Sequence, residues 1–361
     1  MRRFRIVTIL LAGALLTLAC GGSTGGSTGG GGTTAAKIAL LLPESKTARY
    51  ESKDRPLFTA KLMALCPNCS ILYSNANQDA AQQQSQAEAA LTNGAKVLVL
   101  DAVDGAAAAA IAVKAKAAKV PVISYDRLIT GTDAVSYYVS FDNAKVGQLQ
   151  GNALLTALGT KTNPNVVFIN GSPTDNNATL FKQGAHSVLD GKITLVAEYD
   201  TPDWSPDKAQ VEMTQALTKA GSTKIDGVLA ANDGTGGASI AAMKAAGIKP
   251  LPPVTGQDAE LAAIQRIVAG DQYMTVYKAI KAEAEAAASL AFTLSQGKTP
   301  DSSTVNGKTN NKSIDVPSVL LVPVAVTKAN IASTVIADGF WTKTDICTAD
   351  FAAACTAAGI S

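Results

Sequence analysis

The sequence predicts an α/β protein of two similar lobes, each a parallel sheet covered by helices on both faces. Three observations carry this. From Lys37 onward, short β-type runs alternate with Ala-rich helical stretches. The run "PNVVFI" is apolar and reads as a buried strand. The rhythm then restarts after Asp142, which puts a boundary near residues 142–145.

The elements follow in order. "KIALLL" is a strand, with a helix from about Asp54. "SILYSN" is a strand, and "DAAQQQSQAEAALTNG" a helix stopped by Gly. "KVLVLD", the helix "GAAAAAIAVKAKAAK" and the strand "VPVISYD" complete the first series. The second runs through "KVGQLQGNALLTAL", "NVVFIN", "TLFKQGAHSVLD", "ITLVAEY", "PDKAQVEMTQALTKAG", "IDGVLAAND", "GGASIAAMKAAG", "PVTGQD" and "AELAAIQRIVAG". Helices this rich in alanine have little bulk and suit close packing on a sheet.

The chain has 361 residues, 47% of them hydrophobic, enough for about two domains. The opening "MRRFRIVTILLAGALLTLAC" has a basic start and a short apolar run ending in small residues, the pattern of an export signal over residues 1–19. Cys20 after "LTLA" resembles a bacterial lipoprotein box, with Thr17 where Leu is commonest. Residues 20–36 then read as a lipidated cysteine and a Gly/Ser/Thr tether holding the protein at the outer membrane face. Ordinary cleavage and release into the periplasm is the alternative. Without residues 1–19, 28 basic residues face 29 acidic ones. That balance offers no electrostatic reason to expect nucleic acid as a partner.

Four further cysteines in an exported chain suggest disulfides, paired locally as Cys66–Cys69 and Cys347–Cys355. A zinc site drawn from both pairs is the competing reading. A redox role for "CPNC" is weaker, because the motif ends a helix instead of beginning one.

In sheets of this kind ligands bind beyond the carboxyl ends of the strands. That is where the unusual polar residues fall: Asp126 and Arg127 in "ISYDR", Asp175, Asn176 and Asn177 in "NGSPTDNN", Asn232 and Asp233 in "LAAND", Asp258 in "TGQD" and Lys278 in "TVYK". Each has a plain alternative as a helix cap or surface charge. Together they offer acceptors, dual donor–acceptors and forked donors, which match a ligand with many hydroxyls. Trp204 and Tyr50 lie in loops of the same kind, placed to stack on a sugar's C–H face or simply to pack. No nucleophile elbow, zinc-protease motif, phosphate loop or dinucleotide fingerprint is present, and His186 stands alone on a helical stretch. A binding protein without cofactor or metal is expected, not an enzyme, although a two-carboxylate glycosidase stays open. Asn177-Ala178-Thr179 also matches a glycosylation acceptor, of little weight behind a bacterial-type signal.

"SYDRLI", "YVSFDNAKVGQLQG", "GSPTDNNATLF", "IDGVLAANDGTGGAS" and "GQDAELAAIQRIVAGDQYMTVYK" closely resemble the ribose/galactose/xylose family of periplasmic binding proteins of ABC sugar import, its xylose-binding members above all. The resemblance runs from about Lys37 to Phe340. It implies the type I fold, two Rossmann-like lobes joined by a three-segment hinge. Residues 37–142 with about 279–317 would form lobe 1, and 143–278 with about 318–361 lobe 2. It implies a monomeric receptor that closes on one monosaccharide, D-xylose first, with a hexose such as glucose or galactose as the alternative, and delivers it to a permease. A sugar-sensing role, or a transcription regulator on the same core, are the other readings; the latter needs an N-terminal DNA-binding unit where this chain has its signal and tether. Carried over, the sugar contacts fall on Asp126, Arg127, Asp175, Asn177, Trp204, Asn232, Asp258 and Lys278, with Tyr50 and Lys53 added from the first loop. There the family's xylose-binding members carry Arg-Trp just before "QKDR". In "RYESKDR" Tyr50 and Glu51 stand in the Arg-Trp positions on this reading. Asn176 is expected to cap or brace its loop. The C-terminal "TDICTADFAAACTAAGIS" lies beyond the resemblance.

Overall fold

The computed structural model describes residues 35–221 and 224–360. Cys20, the export signal and nearly all of the tether lie outside the described residues.

The chain opens with β1 (Lys37–Leu42), a π-helical turn over Tyr50–Asp54, α1 (Arg55–Leu65), β2 (Ser70–Asn75), α2 (Ala80–Thr92), β3 (Val97–Leu100), α3 (Ala109–Ala117), β4 (Val122–Tyr125) and β5 (Tyr137–Phe141). It continues with α4 (Asn143–Leu158), β6 (Asn165–Asn170), α5 (Asn176–Leu189), β7 (Thr194–Asp200), α6 (Pro206–Ala220), β8 (Gly227–Ala230), α7 (Asp233–Ala245), α8 (Leu261–Ala269) and β9 (Met274–Tyr277). The last part holds α9 (Ile280–Ser295), β10 (Gly307–Asn310), β11 (Asp315–Leu321), β12 (Val324–Thr327), α10 (Lys343–Ile346) and α11 (Ala352–Ala357).

A seven-stranded sheet has the order β10-β11-β5-β4-β3-β1-β2, parallel except for β10 against β11. Its central strands β1, β3 and β4 are buried on both faces, whereas the edge strands β2 and β10 are partly exposed. Ile38, Leu40 and Leu42 pack toward α1 and α9, while Ala39 and Leu41 pack toward α2 and α3. The second sheet, β7-β6-β8, is parallel. The segment "PVTGQD" is not a regular strand: Val254 makes a single parallel bridge to Val228. Its backbone still joins β8 to β9, through Val228 N to Pro253 O and Asp258 N to Val276 O. β9 then pairs antiparallel with β12.

The chain passes between the two sheets three times: Phe141 to Asn143, Tyr277 to Ile280, and Leu321 to Val324. β11 stays in the large sheet to Leu321, a few residues past the expected crossing near 317.

Cys66 closes α1 and is bonded to Cys69, with S–S 2.06 Å. Cys347 is bonded to Cys355, with S–S 2.02 Å. Each pair belongs to a different hydrophobic cluster, so the two do not converge on one zinc site. Among the described residues, no group of three or more His, Cys, Asp or Glu is placed to hold a metal ion, and no helix is long and apolar enough to cross a membrane.

Candidate ligand-binding site

The carboxyl ends of both sheets face one cavity of about 20 Å³. Nine of the ten residues expected to bind ligand line it: Tyr50, Asp126, Arg127, Asp175, Asn177, Trp204, Asn232, Asp258 and Lys278. Thr47, Arg49, Phe181 and Gln257 complete the wall. As the side chains stand, that is room for about one water molecule, and a larger ligand needs the wall to part.

Three lining residues are held at left-handed backbone angles: Asp126 (φ 52°), Trp204 (φ 52°) and Asp258 (φ 93°). Such angles cost of order 1–3 kcal/mol each for residues other than glycine and gather at functional sites. The carbonyl of Asp126 is pinned by hydrogen bonds from Tyr138 Oη (3.1 Å), Ser140 Oγ (2.8 Å) and Asn177 Nδ2 (3.0 Å). Its carboxylate is thereby turned into the cavity.

The wall is a balanced charge array. Arg49 is clamped by Asp54, Nε to Oδ2 at 2.9 Å and Nη2 to Oδ1 at 2.7 Å, and by Glu283 at 2.6 Å. Its Nη1 lies 3.3 Å from Asp126 Oδ2 and 3.9 Å from Asp258 Oδ1. Arg127 Nε reaches Asp175 Oδ2 at 3.2 Å, and its Nη2 donates to Tyr50 Oη at 3.1 Å. Tyr50 Oη in turn donates to Asp126 Oδ2 at 3.3 Å. Burial works against the charge of Asp126, but Arg49, Lys278 and Arg127 outweigh it and hold its pKa at about 2. For Asp175 burial wins over Arg127, and its pKa is raised. Burial also opposes the charge of Lys278, yet Asp126 and Asp258 raise its pKa.

Caps and contacts coexist here. Asp175, not Asn176, caps α5, accepting from Asn177 N at 2.8 Å, while its Oδ2 accepts from Trp204 Nε1 at 3.1 Å. Asn232 caps α7 through Thr235 N at 2.9 Å and still faces the cavity. Trp204 packs edge-on against Phe181, with centroids 6.3 Å apart, and covers Gly171 so tightly that a Cβ there would lie 2.0 Å from the indole. His186 is far from this chemistry, held by Asp190 (2.8 Å) and Glu198 (3.0 Å).

Lys53 is corrected: it does not line the cavity. Three residues beyond Tyr50 it points the other way, donating to Phe340 O at 2.6 Å and lying 3.8 Å over the Trp341 ring. Arg49 and Tyr50 line the cavity, whereas Glu51 is exposed and paired with Arg55 at 3.1 Å. The wide π-helical turn at Tyr50–Asp54 puts Tyr50 and Glu51 on different sides. Four wall residues escaped sequence reasoning, three of them at positions that signal them. Arg49 precedes Tyr50, Gln257 precedes Asp258, and Phe181 follows Asn177 by one helical turn.

Comparison with known proteins now bears on this geometry. A family model described as "Periplasmic binding protein domain" matches residues 38–299, and the chain belongs to that family. Its fold is the type I periplasmic binding protein fold. The D-xylose-binding periplasmic protein of Escherichia coli (strain K12) is 39% identical over 315 residues, covering 86% of this chain and 92% of its own. The multiple sugar-binding periplasmic receptor ChvE of Rhizobium radiobacter is 34% identical, covering 84% of this chain and 90% of its own. An ABC transporter solute-binding protein from Clostridium phytofermentans, solved with bound β-D-glucose, superposes with a TM-score of 0.79 at 30% identity, over 86% of this chain and 99% of that one.

Proposed function

We propose that this protein is the extracytoplasmic sugar-binding component of an ABC importer. It takes one monosaccharide, D-xylose first, into the cavity and delivers it to a permease without chemical change. The observation that carries the reading is a mismatch in the empty wall. Gln257 Oε1 is buried with no hydrogen bond among the described residues, and Arg49 Nη1, Arg127 Nε and Asp258 Oδ1 are buried with ion-pair neighbours at 3.3, 3.2 and 3.2 Å but no hydrogen bond. An unsatisfied buried polar group costs about 1–3 kcal/mol, so a ligand bearing both donors and acceptors stabilises this arrangement. A pentose supplies both through its hydroxyl groups, and Trp204 and Phe181 supply an apolar wall.

On this reading Tyr50, Asp126, Arg127, Asp175, Asn177, Trp204, Asn232, Asp258 and Lys278 contact the sugar, joined by Arg49 and Gln257. Residues 37–142 with 279–321 form one lobe and 143–278 with 322–360 the other. The sugar, touching both, favours the closed form by its differential contacts. Cys20 carries lipid and anchors a monomer at the outer face of the membrane, in a compartment that keeps both cysteine pairs oxidised.

Glucose is the second reading, favoured by the glucose-bound relative. Calorimetry and thermal melting with xylose, glucose, ribose, arabinose and galactose decide. Saturable heat with one site and a raised melting temperature is expected for xylose or glucose. Silence across the panel in both measurements refutes sugar binding.

A further inference from the structure

The C-terminal segment that the resemblance left without a role runs behind the cavity. We propose that Trp341 and Lys53 form a clasp that ties the loop carrying Tyr50 to the loop carrying Asp258 without touching the ligand. Both are therefore positioning residues of the cavity.

The two loops come from opposite sheets. Lys53 belongs to the π-helical turn that follows β1 in the large sheet. Ala259 follows Asp258 in the segment joined to β9 on the other side. Trp341 stands between them. Lys53 Nζ lies 3.8 Å from its ring centroid and 4.7 Å from that of Phe340, and donates to Phe340 O at 2.6 Å. On its other side Trp341 Nε1 donates to Ala259 O at 2.8 Å. Ala259 (φ 48°) and Asp258 (φ 93°) are consecutive left-handed residues, a backbone that only its surroundings can hold.

The same segment touches a third wall residue's neighbour. Phe340 packs edge-on against Tyr277, with centroids 5.1 Å apart, and Tyr277 precedes Lys278. Tyr277 Oη also donates to Asp338. Leu57, one turn beyond Lys53 on α1, packs against this cluster of Ala259, Tyr277 and Phe340 from the large-sheet side. The segment is seated by Ile346 and Cys355 in that cluster and by Gln265 Nε2 donating to Asp345 O at 3.2 Å. Neither Lys53 nor Trp341 lines the cavity. Lys53 and Trp341 meet only when the two loops close on each other, so their contact weights the closed form.

The affinity arm of the test rests on the sugar reading, and a second arm does not. In the full chain, Lys53→Met is expected to weaken sugar binding about two- to thirtyfold, the range a cation–π contact supplies. Dissociation carries the change and association stays near wild type. Lys53→Arg, which keeps a cation over the ring, retains wild-type affinity. Trp341→Leu weakens binding at least as much as Lys53→Met, and the double variant loses less than the two single losses combined. Wild-type affinity in both single variants, or losses that simply add, overturns the clasp. If the wild type binds no sugar, the proposed function fails and hydrogen exchange on the unliganded proteins decides. Lys53→Met then speeds exchange at the amides of Ala259 and Glu260, across the gap from the substitution. Unchanged exchange there overturns the clasp.

Discussion

Lys278 Nζ lies 3.2 Å from Asp258 Oδ1, an ion pair almost wholly out of water at the point where the chain passes from one sheet to the other. The same nitrogen stands 3.6 Å from Asp126 Oδ1, across the cavity. One buried cation thus serves two carboxylates from opposite sides. Lys278→Met leaves Asp258 with Arg49 and Asp126 with Arg49 and Arg127 as their remaining cations. Removing one partner of a buried pair costs about 3–5 kcal/mol, and a loss of that size is expected in urea unfolding. Sugar affinity falls with it. An unfolding midpoint like that of the wild type would show that these arginines suffice to balance both acids.

Gly171 tests how the stacking surface is placed. A methyl group there would lie 2.0, 2.3 and 2.4 Å from three indole carbons of Trp204. Gly171→Ala therefore drives the ring toward the cavity and away from Asp175 Oδ2. Overpacking of this kind costs about 1–3 kcal/mol, so affinity should drop roughly ten- to a hundredfold. A shifted Trp emission in the unliganded variant marks the displaced ring. Unaltered emission and affinity would mean that the backbone gives way instead.

Asp233 sets an alkaline limb of stability. It accepts from Thr275 Oγ1 (2.9 Å), Glu260 N (2.9 Å) and Gln272 Nε2 (2.8 Å). Burial pushes its pKa up to about 7 despite Arg266 and Gln272, with the charge of Asp258 adding to the rise. Between the ordinary carboxylate value of about 3.9 and about 7 the native state binds more protons than the unfolded chain. Stability therefore falls as pH rises through that window, and Glu260, raised to about 8, extends it. Asp233→Asn should flatten the slope, whatever constant cost it adds. Melting temperatures across the window read this directly, and an unchanged slope would assign it to other groups.

His186 has the opposite origin and a separable signature. Burial opposes its charge, but the hydrogen bonds of Asp190 and Glu198 raise its pKa. A raised histidine stabilises the fold fully below the unfolded value of about 6.5 and loses that contribution as pH rises through the folded value. His186→Gln should thus lower the melting temperature at acid pH and leave it unchanged at alkaline pH. A deficit of equal size at both would make His186 a packing residue against Phe168, whose ring centroid is 5.1 Å away.

Much of this was legible from the chain alone. Runs such as "VLVL" and "IALLL" are apolar at every position, which requires burial on both faces and hence parallel sheets under helices. Strand ends then named Asp126, Asp175, Asn232, Asp258 and Lys278, because ligands bind beyond the carboxyl ends of such strands, although Asp175 and Asn232 also cap helices. Lys53 does not line the cavity because the π-helical turn puts its side chain and that of Tyr50 on different sides. Arg49 was missed because a single Arg in a loop reads as a solvated charge until Asp54 and Glu283, far apart in sequence, close on it.

The sequence by itself determined the alternation of elements, the two series and the polar character of the strand ends, all of which are local in the chain and follow from burial and backbone preference. Only the tertiary structure decided which charges pair, which amide caps and which lines the wall, and that Trp341 stands behind both cavity loops. Those outcomes depend on contacts between segments 82 to 287 positions apart, from Ala259 to Trp341 and from Lys53 to Phe340, and on hydrogen bonds that exist only once water has been excluded.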